Sequence, residues 1–215
     1  MSSRPSTSSV PRGRHAPPLE VRLEVQRARL LEAAAAVFAR VGYAEASAEA
    51  ISREAGMSKA TFYEHFANKE EIILALFDWA RDKLLEAMVA ATSAAGNDPQ
   101  ARLRAGIHAL LELIATHPDE AQTLLVEIIG AGPRAQERRD SILSDFAAAI
   151  DYENKLSAEK AGFGRFATLD DTFAVVGAVV ELASRQIRLG QPGDARQLEP
   201  VVERLTLGLL SQSGK

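Results

Sequence analysis

Lys59, Thr61, Tyr63 and His65 fall within one short segment, 59–65, around the aromatic Phe62. Taking Phe62 as the inward direction of a helix, at about 100° per residue, places Ala60 and Glu64 on the outer face. Lys59 and Tyr63 then line one flank, and Thr61 and His65 the other. A small residue beside a polar one lets a helix approach base edges closely. Flanking hydroxyl, ring N–H and cationic groups suit phosphate oxygens, which fix register rather than sequence. Lys69, at the start of the next helix, is a further phosphate candidate. Glu64 can accept from cytosine N4, and otherwise its charge costs affinity for DNA. Every amphipathic helix has a polar face, so Lys59 or Glu64 alone carries no meaning. The aromatic on an exposed flank, Tyr63, is what calls for a partner.

Other chemistries find little support. There is no Cys, which removes disulfides, thiolate metal sites and a Cys nucleophile, and the four His are scattered. No nucleophile–base pair stands at a recognisable spacing, and no Gly-rich phosphate loop is present. The expectation is a protein that is not an enzyme and needs no cofactor or metal. The longest strictly apolar run, Phe173 to Val180, is too short for a membrane span. The first residues carry Arg and Ser but no apolar signal core. A cytoplasmic location with no membrane partner is expected.

The elements that position the 59–65 segment read as helices. Residues 1–18 are rich in Ser, Pro and Arg (Arg4, Arg12, Arg14) and read as a disordered basic arm. Leu30, Ala34, Val37, Phe38 and Val41 then share one helix face, and Gly42 closes it. Ser47 is placed to cap a second helix that buries Ile51 and Ala55. Gly56 makes a turn, and Ser58 caps the third helix, burying Phe62 and Phe66. This is the helix-turn-helix format, in which the second helix enters the major groove. Asn68 and Glu71 have capping-box spacing at the head of a long helix to about Ala95. Asp98-Pro99, His117-Pro118, Pro133, Thr168 with Asp171, and Asp194 with Gln197 start further helices. Nine helices and no alternating strand pattern make the predicted fold all-α. The predicted division is an arm (1–18), a helix-turn-helix domain (19–67) and a helical effector-binding and dimerisation domain (68–215).

Charge follows the same division. The chain carries −4 overall, with +2 on residues 1–66 and −6 on residues 67–215. A mildly basic front on an acidic rear suits a DNA-binding head on a body with another task. Hydrophobic residues make up 47% of the chain, enough for a packed core in both parts.

Residues 27–77 resemble the DNA-binding domain of TetR-family (tetracycline-repressor-like) transcription regulators. The resemblance rests on Leu30, Ala33, Ala34, Phe38, Gly42, Tyr43, Ser47, Ile51, Ala55, Gly56, Ser58, Thr61, Phe62, Tyr63, Phe66, Lys69 and Glu70. It implies base-edge positions at Lys59, Ala60 and Glu64, and backbone contacts from Ser47, Thr61, Tyr63, His65 and Lys69. Two departures stand out: Ala46 lies where the family often has Thr, and Glu49 and Glu64 add negative charge near the expected groove.

The resemblance further implies a divergent helical rear domain that dimerises and binds a small molecule. For dimerisation the sequence offers Ala174, Gly177, Ala178 and Ala183 among valines, and the stripe Val201, Val202, Leu205, Leu209 and Leu210. The alternative is that both stripes only close the monomer core. Candidate pocket residues are Trp79, Met88, His108, Phe146, Tyr152, Phe163, Phe166 and Phe173, each of which is equally readable as plain core. Glu127 and Glu181 sit in apolar runs, where an unpaired acid is costly, so each could orient a ligand or face solvent. The expected function is a ligand-responsive repressor that binds a double-stranded operator as a homodimer and is released by an unknown small-molecule effector. The alternative is an architectural or occlusion protein that binds DNA without an effector.

Overall fold

A computed structural model describes residues 18–161 and 163–211. Residues 1–17 of the expected basic arm lie outside that range. Among the described residues the fold is all-α, with nine α-helices and two 3₁₀ turns. The helices are α1 (Leu19–Glu45), α2 (Ala48–Glu54), α3 (Lys59–His65), α4 (Lys69–Ala94), α5 (Pro99–Thr116), α6 (Pro118–Leu125), α7 (Pro133–Ala161), α8 (Leu169–Leu189) and α9 (Glu199–Ser211). The 3₁₀ turns are Glu127–Gly130 and Ala195–Leu198. None of the described helices is long and apolar enough to cross a membrane.

Helix starts follow local side-chain chemistry. The Ser47 hydroxyl accepts from Ala50 N at 3.2 Å, and the Ser58 hydroxyl from Thr61 N at 3.0 Å. Asn68 Oδ1 accepts from Glu70 N and Glu71 N, and Asp98 Oδ2 from Ala101 N. Each satisfies a donor that has no partner inside its own helix. Thr168 and Asp171 form a reciprocal capping box at α8. Gly42 takes φ +78°, a backbone region that favours glycine, and kinks α1 one turn before its end.

The last helix departs from expectation. Asp194 caps a 3₁₀ turn through Arg196 N, and the α-helix begins only at Glu199. Pro200 has no N–H to donate back to the Arg196 carbonyl, which separates the two elements. The helix that starts at Pro118 ends at Leu125, and after Val126 the chain tightens into the 3₁₀ turn Glu127–Gly130.

Two cores result. The front core is built on Leu30, Phe38, Ile51 and Phe62, none of which is accessible to solvent. It does not stop at Ala67. Ile72, Ile73, Leu76 and Phe77 of α4 belong to it, as do Ile128, Ala131, Ala135 and Ile142 from the 3₁₀ turn and α7. The expected domain boundary at 67/68 therefore falls inside one packed cluster. The rear core gathers Ile107, Leu111, Phe166, Val175, Val179, Leu198, Val202 and Leu210.

Candidate nucleic-acid interface and effector cavity

The segment 59–65 folds as the helix its spacing predicts. Phe62 is buried, with Tyr63 edge-on to it at 5.4 Å between ring centroids. Tyr63 is still 51% exposed, so its hydroxyl end projects from the head. Lys59, Ala60 and Glu64 are exposed, as are Ser47, which caps α2, and Glu49 in its first turn. Thr61 is half-buried, and its hydroxyl shares a hydrogen bond of 2.9 Å with Ser58. His65 is also half-buried, with Nε2 at 3.3 Å from Gln26 Oε1 on α1.

Lys69 does something other than wait for phosphate. Its ammonium donates to the carbonyls of Tyr43, Ala44 and Ala46 at 2.8, 2.9 and 3.2 Å. It also sits 4.6 Å from the Tyr43 ring centroid. An ammonium has three protons, and all three are engaged here. Lys69 thus caps the kinked end of α1 in this arrangement, with its protons on backbone carbonyls. Burial, followed by the charge of Glu70, raises the Tyr43 phenol above its ordinary range.

Cations that the sequence reading passed over also lie on the head. Arg22 and Arg53 are exposed, and among the described residues neither pairs with a carboxylate. Arg27 stacks over Phe66 at 4.6 Å. Two other head arginines are consumed: Arg29 donates to Ala55 O at 2.8 Å, and Arg40 pairs with Glu54 at 2.7 Å. Charge alone could not have sorted free from engaged arginines, since the partners lie 14 to 26 residues away.

Behind the head, α4, α5, α7, α8 and α9 surround a cavity of about 520 Å³. That is within the range of small-molecule sites. Its walls are mainly aliphatic and aromatic. Met88, Phe146, Phe163 and Phe166 line it, as the sequence reading expected of the pocket. Trp79, His108, Glu127, Tyr152, Phe173 and Glu181 do not, and each has a physical reason. Trp79 packs against the front core beneath the Lys83 ammonium, 3.7 Å from its ring centroid. His108 points outward to Glu199 at 3.3 Å. Glu127 accepts from Gln122 at 2.9 Å, and its other oxygen comes close to the Gly42 kink. Glu181 pairs with Arg188 on the solvent face of α8. Tyr152 and Phe173 are 61% and 45% exposed.

Sequence reasoning missed the α5 wall. Leu103, Ile107, Leu110 and Ile114 all line the cavity, and their helical spacing was a readable signal. Apart from the hydroxyls of Ser93 and Ser157, most polar groups at the wall are already engaged. Thr206 donates to Val202 O and Thr92 to Met88 O, while Arg102 reaches Thr92 O and Glu153. Among the described residues no buried side-chain polar atom lacks a partner.

The cavity and the head share α4. Its first half packs in the front core, and its second half lines the cavity through Leu84, Leu85 and Met88. At the head end, Arg134 and Arg138 of α7 grip α4. Arg134 pairs with Glu70 and Glu71 at 2.8 and 2.9 Å, and Arg138 pairs with Asp78. Hydrogen bonds that the Arg134 guanidinium donates to Glu71 and then Glu70 hold it above its ordinary range. Thr123 of α6 adds a buried bond to Ala35 O at 3.1 Å.

The two stripes expected for dimerisation divide between inside and outside. Ala183, Val202 and Leu210 close the monomer core. Ala174 is exposed, and Gly177, Ala178, Val201, Leu205 and Leu209 are half-buried; Leu169, Phe173 and Leu189, outside the expected stripes, are also exposed along α8. Gly177 and Gly208 have nothing within 4 Å of where a Cβ would stand.

Comparison with known proteins agrees with this geometry. Residues 30–76 match the family model described as "Bacterial regulatory proteins, tetR family". A stretch of 102 residues is 34% identical to the HTH-type transcriptional activator FasR of Mycolicibacterium smegmatis, covering 47% of this chain and 46% of that relative. The match thus spans about half the length of the relative. Among solved structures, the fatty acid degradation regulator FadR of Bacillus halodurans superposes with a TM-score of 0.78 at 20% identity, covering 85% of this chain and 95% of that one. FadR of Bacillus subtilis, solved in complex with stearoyl-CoA, gives 0.71 at 18% identity over 84% and 97% of the two chains. At these identities the likeness is one of fold.

Proposed function

This chain belongs to the TetR family of transcription regulators, and from that premise we propose that it is a ligand-responsive repressor whose effector carries a long acyl chain. One observation carries the reading: α4 belongs both to the core that seats the helix-turn-helix and to the wall of the apolar cavity. A molecule that fills the cavity presses on the same rod that aims α3. An acyl chain suits the walls, which offer few polar atoms that are not already bonded. The stearoyl-CoA bound by the Bacillus subtilis regulator supports the ligand class. A polar headgroup would be met by Arg81 and Arg139, which line the cavity and are partly exposed.

On the DNA side, Ala60 and Glu64 face the base edges. Ser47, Thr61, Tyr63 and His65 hold the backbone, with Arg53 as an added phosphate contact; Lys59, a base-edge position by resemblance, is assigned to phosphate from its place on the flank of α3. One short helix makes few base contacts, so two heads act together. A two-fold dimer through the exposed faces of α8 and α9 would present them about one helical turn apart, roughly 34–36 Å.

The test is reciprocity. A duplex is first selected from random sequence by the protein. Its affinity is then measured with and without palmitoyl-CoA, and palmitoyl-CoA affinity with and without the duplex. A coupling of about 1–3 kcal/mol gives roughly 5–150-fold weakening, identical in both directions. Ligand binding that the duplex leaves unchanged would instead favour a DNA-occluding protein without an effector.

A further inference from the structure

One end of the cavity is closed by irregular backbone rather than by a helix. The stretch 163–168 connects to α8 and sends Phe163 and Phe166 into the cavity wall. Most of this stretch is exposed, but Phe166 turns inward, and backbone polar groups that are buried there need partners. Asn154 of α7, itself buried, supplies the pairing with both ends of its amide. Its Nδ2 donates to Gly164 O at 2.9 Å, and its Oδ1 accepts from Phe166 N at 3.0 Å. Gly164 lies so close to α9 that a Cβ there would stand 2.9 Å from Leu210 O. The two bonds and the close approach fix the backbone that carries both rings.

The exposure of the cavity liners gives the cavity a direction. Leu85 and Val89 of α4 are open to solvent and mark the mouth, whereas Phe166, Val202 and Leu210 are only 2–3% exposed and mark the closed side. With the buried polar atoms already paired, that closed side reads a ligand by length and girth.

We propose that segment 163–168 is a stopper that sets the length of acyl chain the cavity admits. Phe163 and Phe166 are the specificity-determining side chains, and Asn154 is the positioning residue. The proposal rests on the acyl reading of the cavity given above. Removing a ring opens space where further methylenes can be buried. Each buried methylene contributes about 0.8 kcal/mol, or roughly fourfold in affinity.

The experiment is calorimetric titration of the full chain with an acyl-CoA series from octanoyl to stearoyl. Wild type is expected to gain affinity with chain length up to a limit and then lose it. Phe166→Ala and Phe163→Ala are expected to move that limit to longer chains, with about fourfold gained per methylene newly accommodated. Asn154→Ala is expected to blunt the limit, so that neighbouring lengths bind alike, which a purely structural role would not do. Thermal melting without ligand identifies a variant that fails to fold. If Phe166→Ala does so, Phe163→Ala, at a half-buried position, carries the test. A length limit that both folded ring variants leave in place overturns the stopper and spares the acyl reading. No binding by any member to wild type overturns the acyl reading and the stopper with it.

Discussion

The front and rear halves are both helical and both rich in apolar side chains, yet they spend them differently. In the front, Leu30, Phe38, Ile51, Phe62, Ile72 and Ile73 are fully excluded from water and lie in one cluster. In the rear, Leu103, Leu110, Ile114 and Phe163 are only partly buried and border a space of about 520 Å³. Close packing makes the front a rigid seat for α3, since filled interiors resist deformation. The rear keeps apolar surface in reserve for something that is not part of the chain.

The sharpest way to break that contrast is to remove one ring from each half. Phe62→Ala is expected to destabilise the protein by about 3–5 kcal/mol, because no neighbour can collapse into the gap. Phe163→Ala is expected to cost clearly less, because its half-buried ring packs on the rear core and already borders open space. Urea unfolding of the two variants measures both, and equal losses would erase the distinction.

Lys69 and Lys59 separate holding the head together from gripping DNA. Lys69→Met keeps the aliphatic stem and removes three charge-assisted bonds, at an expected cost of roughly 1.5–3 kcal/mol in stability. The salt dependence of DNA binding by its folded fraction should stay the same. Lys59→Ala should do the reverse. Stability stays within about 0.5 kcal/mol, and the slope of log affinity against log salt falls by about one per head. Tyr63→Phe is a finer probe. It is expected to weaken all duplex sequences together by about 1 kcal/mol, and a change in sequence preference would place Tyr63 at a base edge instead.

Those lysines also show where the sequence was legible. Helix starts were readable because a capping side chain bonds to backbone within three residues, as Ser47, Ser58, Asn68 and Asp98 do. The outer face of α3 was readable from Phe62 alone, because periodicity fixes what is opposite a buried ring. The role of Lys69 was not, because its carbonyl partners lie 23 to 26 residues earlier, where the Gly42 kink turns them toward α4. The cavity was legible only in part. Periodicity says that Met88 and Phe146 face inward, but not whether a neighbour fills the space before them. Glu127 and Glu181 looked misplaced among apolar residues. One sits in a 3₁₀ turn that delivers it to Gln122, and the other sits on the outer face of α8 beside Arg188.

The smallest expected effect lies in the acid limb of rear-domain stability. Arg196 donates to Glu112 at 2.5 and 3.2 Å and to Asp194 at 2.7 Å. The Arg196 side chain holds Glu112 below its ordinary 4.5, and the Arg196 N–H, followed by its side chain, holds Asp194 below its ordinary 3.8. A carboxylate depressed in the folded state adds stability that is present above its ordinary value. That stability is lost as pH falls through the folded value. The melting temperature of wild type should therefore fall below about pH 4.5, and Arg196→Gln should make that fall shallower. Both carboxylates are partly exposed, so solvent screening keeps the difference small.

The continuity of α4 through both packings bears on how such proteins can be recombined. A chimera that joins this head to a different sensor cannot be cut at Ala67, since Ile72, Ile73, Leu76 and Phe77 would leave with the discarded half and expose Ile51 and Phe62. The workable seam lies between Phe77 and Leu84. Even there, the incoming sensor must supply apolar surface where Ile128, Ala131, Ala135 and Ile142 now stand. The head is therefore not a cassette. It is interchangeable only together with the underside of the body that it rests on, so exchange of sensing parts would favour grafts that keep this α4–α7 surface intact.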